Sequence, residues 1–194
     1  MGTLSIPRDE LRQAREALAS LRVAQDFNTL DQCWITVLKH LERCWNKTIA
    51  SMNYNTKWQG WPERGRIEGL RKTDQLLAYL RNARGAEEHG IAPITLKQPG
   101  GVGINPAPGS NSVHLERISF NKERLSIYSK HPYQVTLIPA QFALLPVKNR
   151  GVIYPVPQMH LGQSLASVDP VTVASAGITF YSTALDNVSA VFGR

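Results

Sequence analysis

The side chains best suited to chemistry lie near the end of a predicted helix, in residues 80–89. Arg84 continues the apolar stripe of that helix and therefore faces inward, where an arginine is costly unless it is paired. His89 follows Arg84 after four intervening residues and lies on nearly the same side of the helix as Asn82. Arg84 and His89 are the candidate catalytic pair of this sequence, with Arg81, Asn82 and Glu88 as supporting residues.

This spacing resembles the Arg-x4–6-His motif of HEPN domains, which are helical bundles that include metal-independent ribonucleases and nucleotide-binding partners in toxin systems. The resemblance covers residues 8–90, and Gly85 stands where the motif has a polar residue. It implies that His89 acts as a general base or acid on a ribose 2′-hydroxyl, while Arg84 holds the scissile phosphate. It also implies that no metal takes part and that a dimer builds the site from two copies.

A structural alternative explains the same residues without catalysis. Arg84 and Glu88 are four residues apart, so they can form an ion pair on one face of the helix. His89 and Gly90 would then end the helix as a C-cap, with the imidazole near the negative end of the helix dipole.

A second candidate region contains Trp58, Trp61, Arg64 and Arg66, with Lys57 just before it. Tryptophan rings among basic side chains can stack on bases and bind phosphates, which predicts a nucleic-acid site. The alternative is that the tryptophans fold back onto a helical bundle as a lid. A lone histidine, His160, lies in a turn-rich stretch and has no partner identifiable from the sequence.

Composition sets limits on the class of protein. The chain has 194 residues, 42% of them hydrophobic, and a formal net charge of +7. That charge favours nucleic acid, nucleotides or another polyanion as partner. Cys33 and Cys44 are predicted to be unpaired thiols, and no Cys/His cluster has zinc spacing, so we expect no metal and no cofactor. We find no secretory signal and no run long enough to span a membrane, which predicts a soluble, cytoplasmic protein.

Apolar periodicity predicts an α+β fold with four helices, over residues 7–25, 30–52, 66–88 and 170–192. Thr29 and Gln32 have the spacing of a capping box, and Asp169-Pro170 is typical of a helix start. We expect the three N-terminal helices (residues 1–91) and the last helix (within 158–194) to form a four-helix bundle.

The middle of the chain predicts a different kind of structure. Residues 92–112 are rich in Gly and Pro and are expected to be a loop. Residues 113–157 alternate between apolar and polar side chains, which predicts an inserted antiparallel sheet of four or five strands, with hairpin turns at residues 121–122 and 148–151. Residues 116–150 contain six Lys or Arg and two acidic residues, so this sheet is expected to present a basic face.

Two functional hypotheses follow. The first is a non-catalytic interaction protein, a homodimer that binds RNA, another nucleic acid or a nucleotide through its basic surface, or a protein partner through the β insertion. The second is a HEPN-like ribonuclease that uses Arg84 and His89.

Overall fold

The computed structural model describes residues 4–88 and the backbone of His89, then residues 92–121 and 124–193. The fold is α+β, as predicted. The described residues contain six helices: α1 (Ser5–Val23), α2 (Phe27–Met52), α3 (Thr56–Gln59), α4 (Pro62–Thr73), α5 (Gln75–His89) and α6 (Pro170–Phe192). They also contain ten strands: β1 (Thr95–Gln98), β2 (Gly101–Pro106), β3 (Leu115–Asn121), β4 (Arg124–Ser129), β5 (Tyr133–Ile138), β6 (Gln141–Leu144), β7 (Val147–Asn149), β8 (Val152–Tyr154), β9 (Met159–His160) and β10 (Gln163–Ser164).

The chain divides into two compact units. The first consists of Met1–Leu96 and Phe142–Arg194, and the second of Lys97–Gln141. The first unit holds all the described helices, while the second is made of strands and turns.

Helix α6 packs against α1, α2 and α5, which confirms the expected packing of the last helix on the N-terminal helices. Its carboxyl-terminal half buries Tyr181, Leu185 and Val188. Gly177 lies where α6 passes the other helices, because a Cβ atom there would come within 2.5 Å of Leu80 Cδ1. The start of α6 is also as predicted, since the Asp169 carboxylate accepts hydrogen bonds from two backbone N–H groups of the first turn.

The predicted third helix is two helices, because the chain turns at Asp74. The backbone of Asp74 is extended, and its carboxylate accepts a hydrogen bond from the Leu77 N–H, so Asp74 starts a new helix. The predicted cap of the second helix was also wrong. Asp26 rather than Thr29 caps α2, and its carboxylate accepts a hydrogen bond from the Thr29 N–H.

The predicted loop over residues 92–112 was wrong, because it contains β1 and β2. The predicted single sheet is also replaced by five two-stranded sheets within the described residues. The physical reason is the order of pairing, in which β1 pairs with β6, β2 with β5 and β3 with β4. This nesting gives each strand one partner along a folded-back chain and builds no wider sheet.

The predicted turn at residues 148–151 is confirmed. Strands β7 and β8 form an antiparallel hairpin, and its two turn residues, Arg150 and Gly151, have φ angles of 50° and 83°. Positive φ at both central positions suits the twist of a two-residue hairpin. Lys122, half of the other predicted turn, lies outside the described residues.

The described residues include no helix that is both long and apolar enough to cross a membrane. Within the same residues, no three His, Cys, Asp or Glu side chains are grouped closely enough to hold a metal ion.

Candidate functional site

The predicted catalytic pair lies on the last turns of α5. Arg84 Nη2 donates a hydrogen bond to Glu88 Oε1, and the Arg84 Nε atom is buried without a partner among the described residues. Arg81 is exposed and lines a small polar cavity next to Arg71 instead. The side chain of His89 lies outside the described residues, so its role with Arg84 stays a prediction. The Arg84–Glu88 contact is the one that the structural alternative expects.

The β7–β8 hairpin covers the Asn82 face of α5. Asn149 Nδ2 donates a hydrogen bond of 3.0 Å to Asn82 Oδ1, and Asn82 Nδ2 donates one of 2.8 Å to the Ala78 carbonyl. A Cβ atom on Gly85 would lie 2.7 Å from Asn149 Nδ2. Gly85, which has no side chain, therefore makes room for Asn149.

The tryptophan region packs onto the helical core. Trp58 is fully buried. Its ring centroid lies 5.5 Å from that of Trp61 and 5.8 Å from that of Phe192. Arg64 pairs with Glu68 at 3.1 Å, and Arg66 donates to Glu63 at 2.7 Å. Trp58 therefore has no free ring face for a base, and both arginines are balanced by carboxylates. This arrangement is the lid expected under the structural alternative.

The second unit is a long two-stranded ribbon without a core of its own. Among the described residues between Leu96 and Ala143, none is buried. At the bend between its two halves, the Ser129 hydroxyl lies 2.7 Å from the His114 carbonyl oxygen and 2.8 Å from that of His131. An isolated pair of strands is only marginally stable in water, so we expect a binding partner to stabilise this ribbon.

The outer half of this ribbon, β3 with β4, has two faces of different chemistry. Register partners point to the same side, and successive residues alternate between sides. One side, named here the polar face, carries Arg117, Ser119, Asn121, Arg124, Ser126 and Tyr128. The opposite side, the apolar face, carries Ile118, Phe120, Leu125 and Ile127.

The polar face is basic and contains no carboxylate. Arg117 and Arg124 are exposed and form no ion pair with any described residue, and the Tyr128 side chain is 57% exposed. Among the described residues of this segment, Lys130 pairs with Glu116, which lies at an irregularity of the register before Arg117. The two arginines are therefore available to an anionic partner.

A cavity of about 550 Å³ lies in the first unit, against one face of α6. Its walls come from α4, from the end of α1 and from the β9–β10 turn, which contributes His160. The sequence singled out His160 without a partner, and the structure supplies one. The His160 Nδ1 atom lies 2.9 Å from Asp74 Oδ1, and its ring contacts Phe180 edge to face.

Asp74 connects the start of α5 to the β9–β10 turn through its side chain. Its carboxylate accepts hydrogen bonds from the Leu77 and Leu161 N–H groups, at 3.0 Å and 2.7 Å, as well as from His160. Burial by itself raises the pKa of Asp74, but the hydrogen bonds from Leu161, His160 and Leu77 outweigh it and hold the pKa below its ordinary value. Asp74 is therefore the ionised partner of His160 at neutral pH.

Two further buried ion pairs fix the helices. Arg71 pairs with Glu42 and donates a hydrogen bond of 2.9 Å to the Tyr181 hydroxyl, and burial raises the pKa of Tyr181 to about 12. Glu10 is buried between His40, at 2.6 Å, and Arg43, at 2.9 Å. Each charge is matched by a partner, which is what a buried ionisable group requires.

Comparisons with protein-family models, with curated proteins and with solved structures find no match for this chain. The function must therefore be inferred from the geometry of its own residues. Sequence reasoning expected a basic face within residues 116–150, but it missed Asp74 and did not single out Arg117 and Arg124 on that face. The available signals were an aspartate three residues before Leu77, typical of a helix cap, and the alternation of residues 117–121.

Proposed function

We propose that the protein is a non-catalytic nucleic-acid-binding protein, and that the polar face of the β3–β4 ribbon lies in the major groove of duplex DNA. The observation that carries this proposal is the pair of unpaired, exposed arginines, Arg117 and Arg124, on a face without carboxylates. Residues 97–141 hold five basic and two acidic residues, so the whole ribbon also carries positive charge.

The shape of the ribbon supports duplex DNA over RNA. Paired strands lie about 4.8 Å apart, and the major groove of B-DNA, about 12 Å wide, admits a two-stranded ribbon. The major groove of duplex RNA is too deep and narrow for side chains to read. Arginine and asparagine are also the side chains that bind guanine and adenine edges in the groove, which suits Arg117, Asn121 and Arg124.

The apolar face supports the homodimer that the sequence predicts. Phe120 is 78% exposed and Ile118 52% exposed, and they share this face with Leu125 and Ile127. A two-fold interface uses the same patch of both copies, so an apolar face can cover itself by pairing with a second copy. The polar faces then remain free to bind DNA. A cytoplasmic location fits Cys33 and Cys44, which are both free thiols.

Fluorescence anisotropy tests the proposal. The probes are a labelled DNA duplex of roughly 20 base pairs, one of its single strands, and an RNA duplex of the same sequence. We expect the DNA duplex to bind most tightly, with an affinity that falls steeply as salt rises. Replacing both Arg117 and Arg124 with Gln should weaken binding and reduce the slope of log K against log salt by about two.

A charge-matched control distinguishes this surface from a general effect of net charge. Lys39 and Lys47 are exposed on α2 and form no ion pair within the described part of the chain. Replacing both with Gln removes the same charge and should leave affinity nearly unchanged. An equal loss in both double variants, or no binding of wild-type protein at low salt, would overturn the proposal.

A further inference from the structure

The cavity against α6 is a separate feature that DNA binding does not use. Its volume of about 550 Å³ is in the range of pockets that enclose small organic molecules. The surface contributed by α6 includes apolar groups at Val171, Ala176 and Phe180 and a row of hydroxyl groups, so a ligand would meet both kinds of contact.

Two of these hydroxyl groups already donate hydrogen bonds to backbone carbonyl oxygens of α6. The Thr179 hydroxyl donates to the Ser175 carbonyl at 3.0 Å, and the Thr183 hydroxyl donates to the Thr179 carbonyl at 3.1 Å. Their oxygens can therefore accept hydrogen bonds from a ligand but cannot donate to it. Neither of these two hydroxyls is therefore a donor for an anionic group of a ligand, which also needs a positive charge in the cavity to balance its own.

Arg22 is the natural donor for such a group. It lies at the end of α1, lines the cavity, is exposed and forms no ion pair with a described residue. The other arginine of the lining, Arg66, is already paired with Glu63. One positive charge in the cavity is therefore unbalanced, which favours an anion over a neutral or cationic ligand.

The His160 side of the cavity is held in a fixed shape. The turn between β9 and β10 places Leu161 at φ 50°, a left-handed conformation that is unfavourable for leucine. The Leu161 N–H donates to Asp74 Oδ2, and His160 Nδ1 contacts Asp74 Oδ1. Gly162, the next residue, has a φ angle of 79°, so the pair has the positive φ angles of a two-residue hairpin turn, and the bonds to Asp74 hold this turn in place. Because an ionised carboxylate only accepts hydrogen bonds, Nδ1 carries the hydrogen, and Nε2 remains for a ligand.

From this geometry we infer that the α6 cavity binds a small organic acid. Arg22 binds its carboxylate or phosphate group, and its apolar body lies against Ala176 and Phe180. His160 contacts a polar atom of the ligand through Nε2. The residues of this site are different from those of the ribbon, so the inference can be tested independently of DNA binding.

Isothermal titration calorimetry with the full chain tests this inference. The probes are benzoate, indoleacetate and phenyl phosphate, with benzamide as the uncharged counterpart of benzoate. We expect saturable binding of at least one acid and much weaker binding of benzamide. Comparison of benzoate with phenyl phosphate distinguishes a carboxylate site from a phosphate site. If none of the acids binds at about 10 mM, or if benzamide binds as well as benzoate, the inference is wrong.

Two variants locate the binding. Arg22→Gln should lower the affinity for the acid at least about tenfold, because it removes a charge-assisted hydrogen bond. Ala176→Trp should abolish binding, because the indole ring fills the cavity. Lys39→Gln, which removes a charge outside the cavity, should have no effect. Unchanged affinity in Arg22→Gln contradicts the inference even if Ala176→Trp fails to fold.

Discussion

Asp74 and His160 are 86 positions apart in the sequence, and a hydrogen bond of 2.9 Å joins their side chains. The same carboxylate begins α5, through the Leu77 N–H, and holds the β9–β10 turn, through the Leu161 N–H. One side chain therefore determines where α4 gives way to α5 and where the wall of the α6 cavity lies.

Replacing Asp74 with Asn should destabilise the protein in a pH-dependent way. The pKa of Asp74 is lower in the folded chain than its ordinary value, because its hydrogen bonds outweigh the effect of burial. Its ionisation therefore stabilises the fold above the unfolded pKa, and this contribution is lost as pH falls through the folded pKa. We expect Asp74→Asn to lose about 1–3 kcal/mol at pH 7, measured by urea denaturation.

The difference between wild type and Asp74→Asn should shrink as pH falls below about 4, because Asp74 of the unfolded wild-type chain then takes up a proton before Asp74 of the folded chain does. Asp9→Asn is the control, because Asp9 is largely exposed and pairs only with Arg12 on the surface. A loss of stability in Asp74→Asn that is the same at pH 7 and at low pH would contradict this explanation.

Asp74 also shows what sequence patterns can and cannot predict. The apolar spacing of residues 66–88 continues across Asp74, so periodicity alone predicts one helix where the chain forms two. Helix α6 was predictable because its cap, Asp169, and its apolar stripe agree. His160 had no identifiable partner, since its contact with Asp74 depends on how distant segments pack. The ribbon was missed in part because β2 lies in a Gly- and Pro-rich stretch that is typical of loops.

Two glycines should respond to alanine in opposite directions. A Cβ atom on Gly177 would meet Leu80 Cδ1 at 2.5 Å and Leu41 Cδ1 at 3.1 Å, so Gly177→Ala should cost about 1–3 kcal/mol through overpacking. Gly65 lies within α4 and has open space around it, so Gly65→Ala should stabilise the protein by roughly 0.5–1 kcal/mol. Thermal unfolding of both variants measures whether each substitution raises or lowers the stability of the protein. A stabilised Gly177→Ala would mean that α6 lies farther from α2 and α5.

The apolar face of the ribbon should control self-association. If Phe120 is buried between two copies, Phe120→Ser should shift the protein from dimer to monomer, as measured by sedimentation velocity across a concentration series. Tyr128→Ser is the matched control, since Tyr128 lies on the opposite, polar face of the same strand pair. A wild-type protein that stays monomeric at about 100 μM, or a dimer that Phe120→Ser leaves intact, contradicts the proposed interface.

Ribonuclease assays decide the role of Arg84 and His89. If they form a metal-independent site, wild-type protein cleaves RNA in EDTA and leaves a cyclic phosphate end, because the 2′-hydroxyl attacks the neighbouring phosphate. His89→Ala should then abolish cleavage while the melting temperature stays the same, since catalytic groups are seldom optimised for stability.

If Arg84 serves only to pair with Glu88, the wild-type protein is inactive on every RNA tested. Arg84→Ala then loses only a few tenths of a kcal/mol, as expected for a partly exposed i,i+4 pair. Cleavage that survives in His89→Ala would point to a contaminating nuclease and reject the catalytic role.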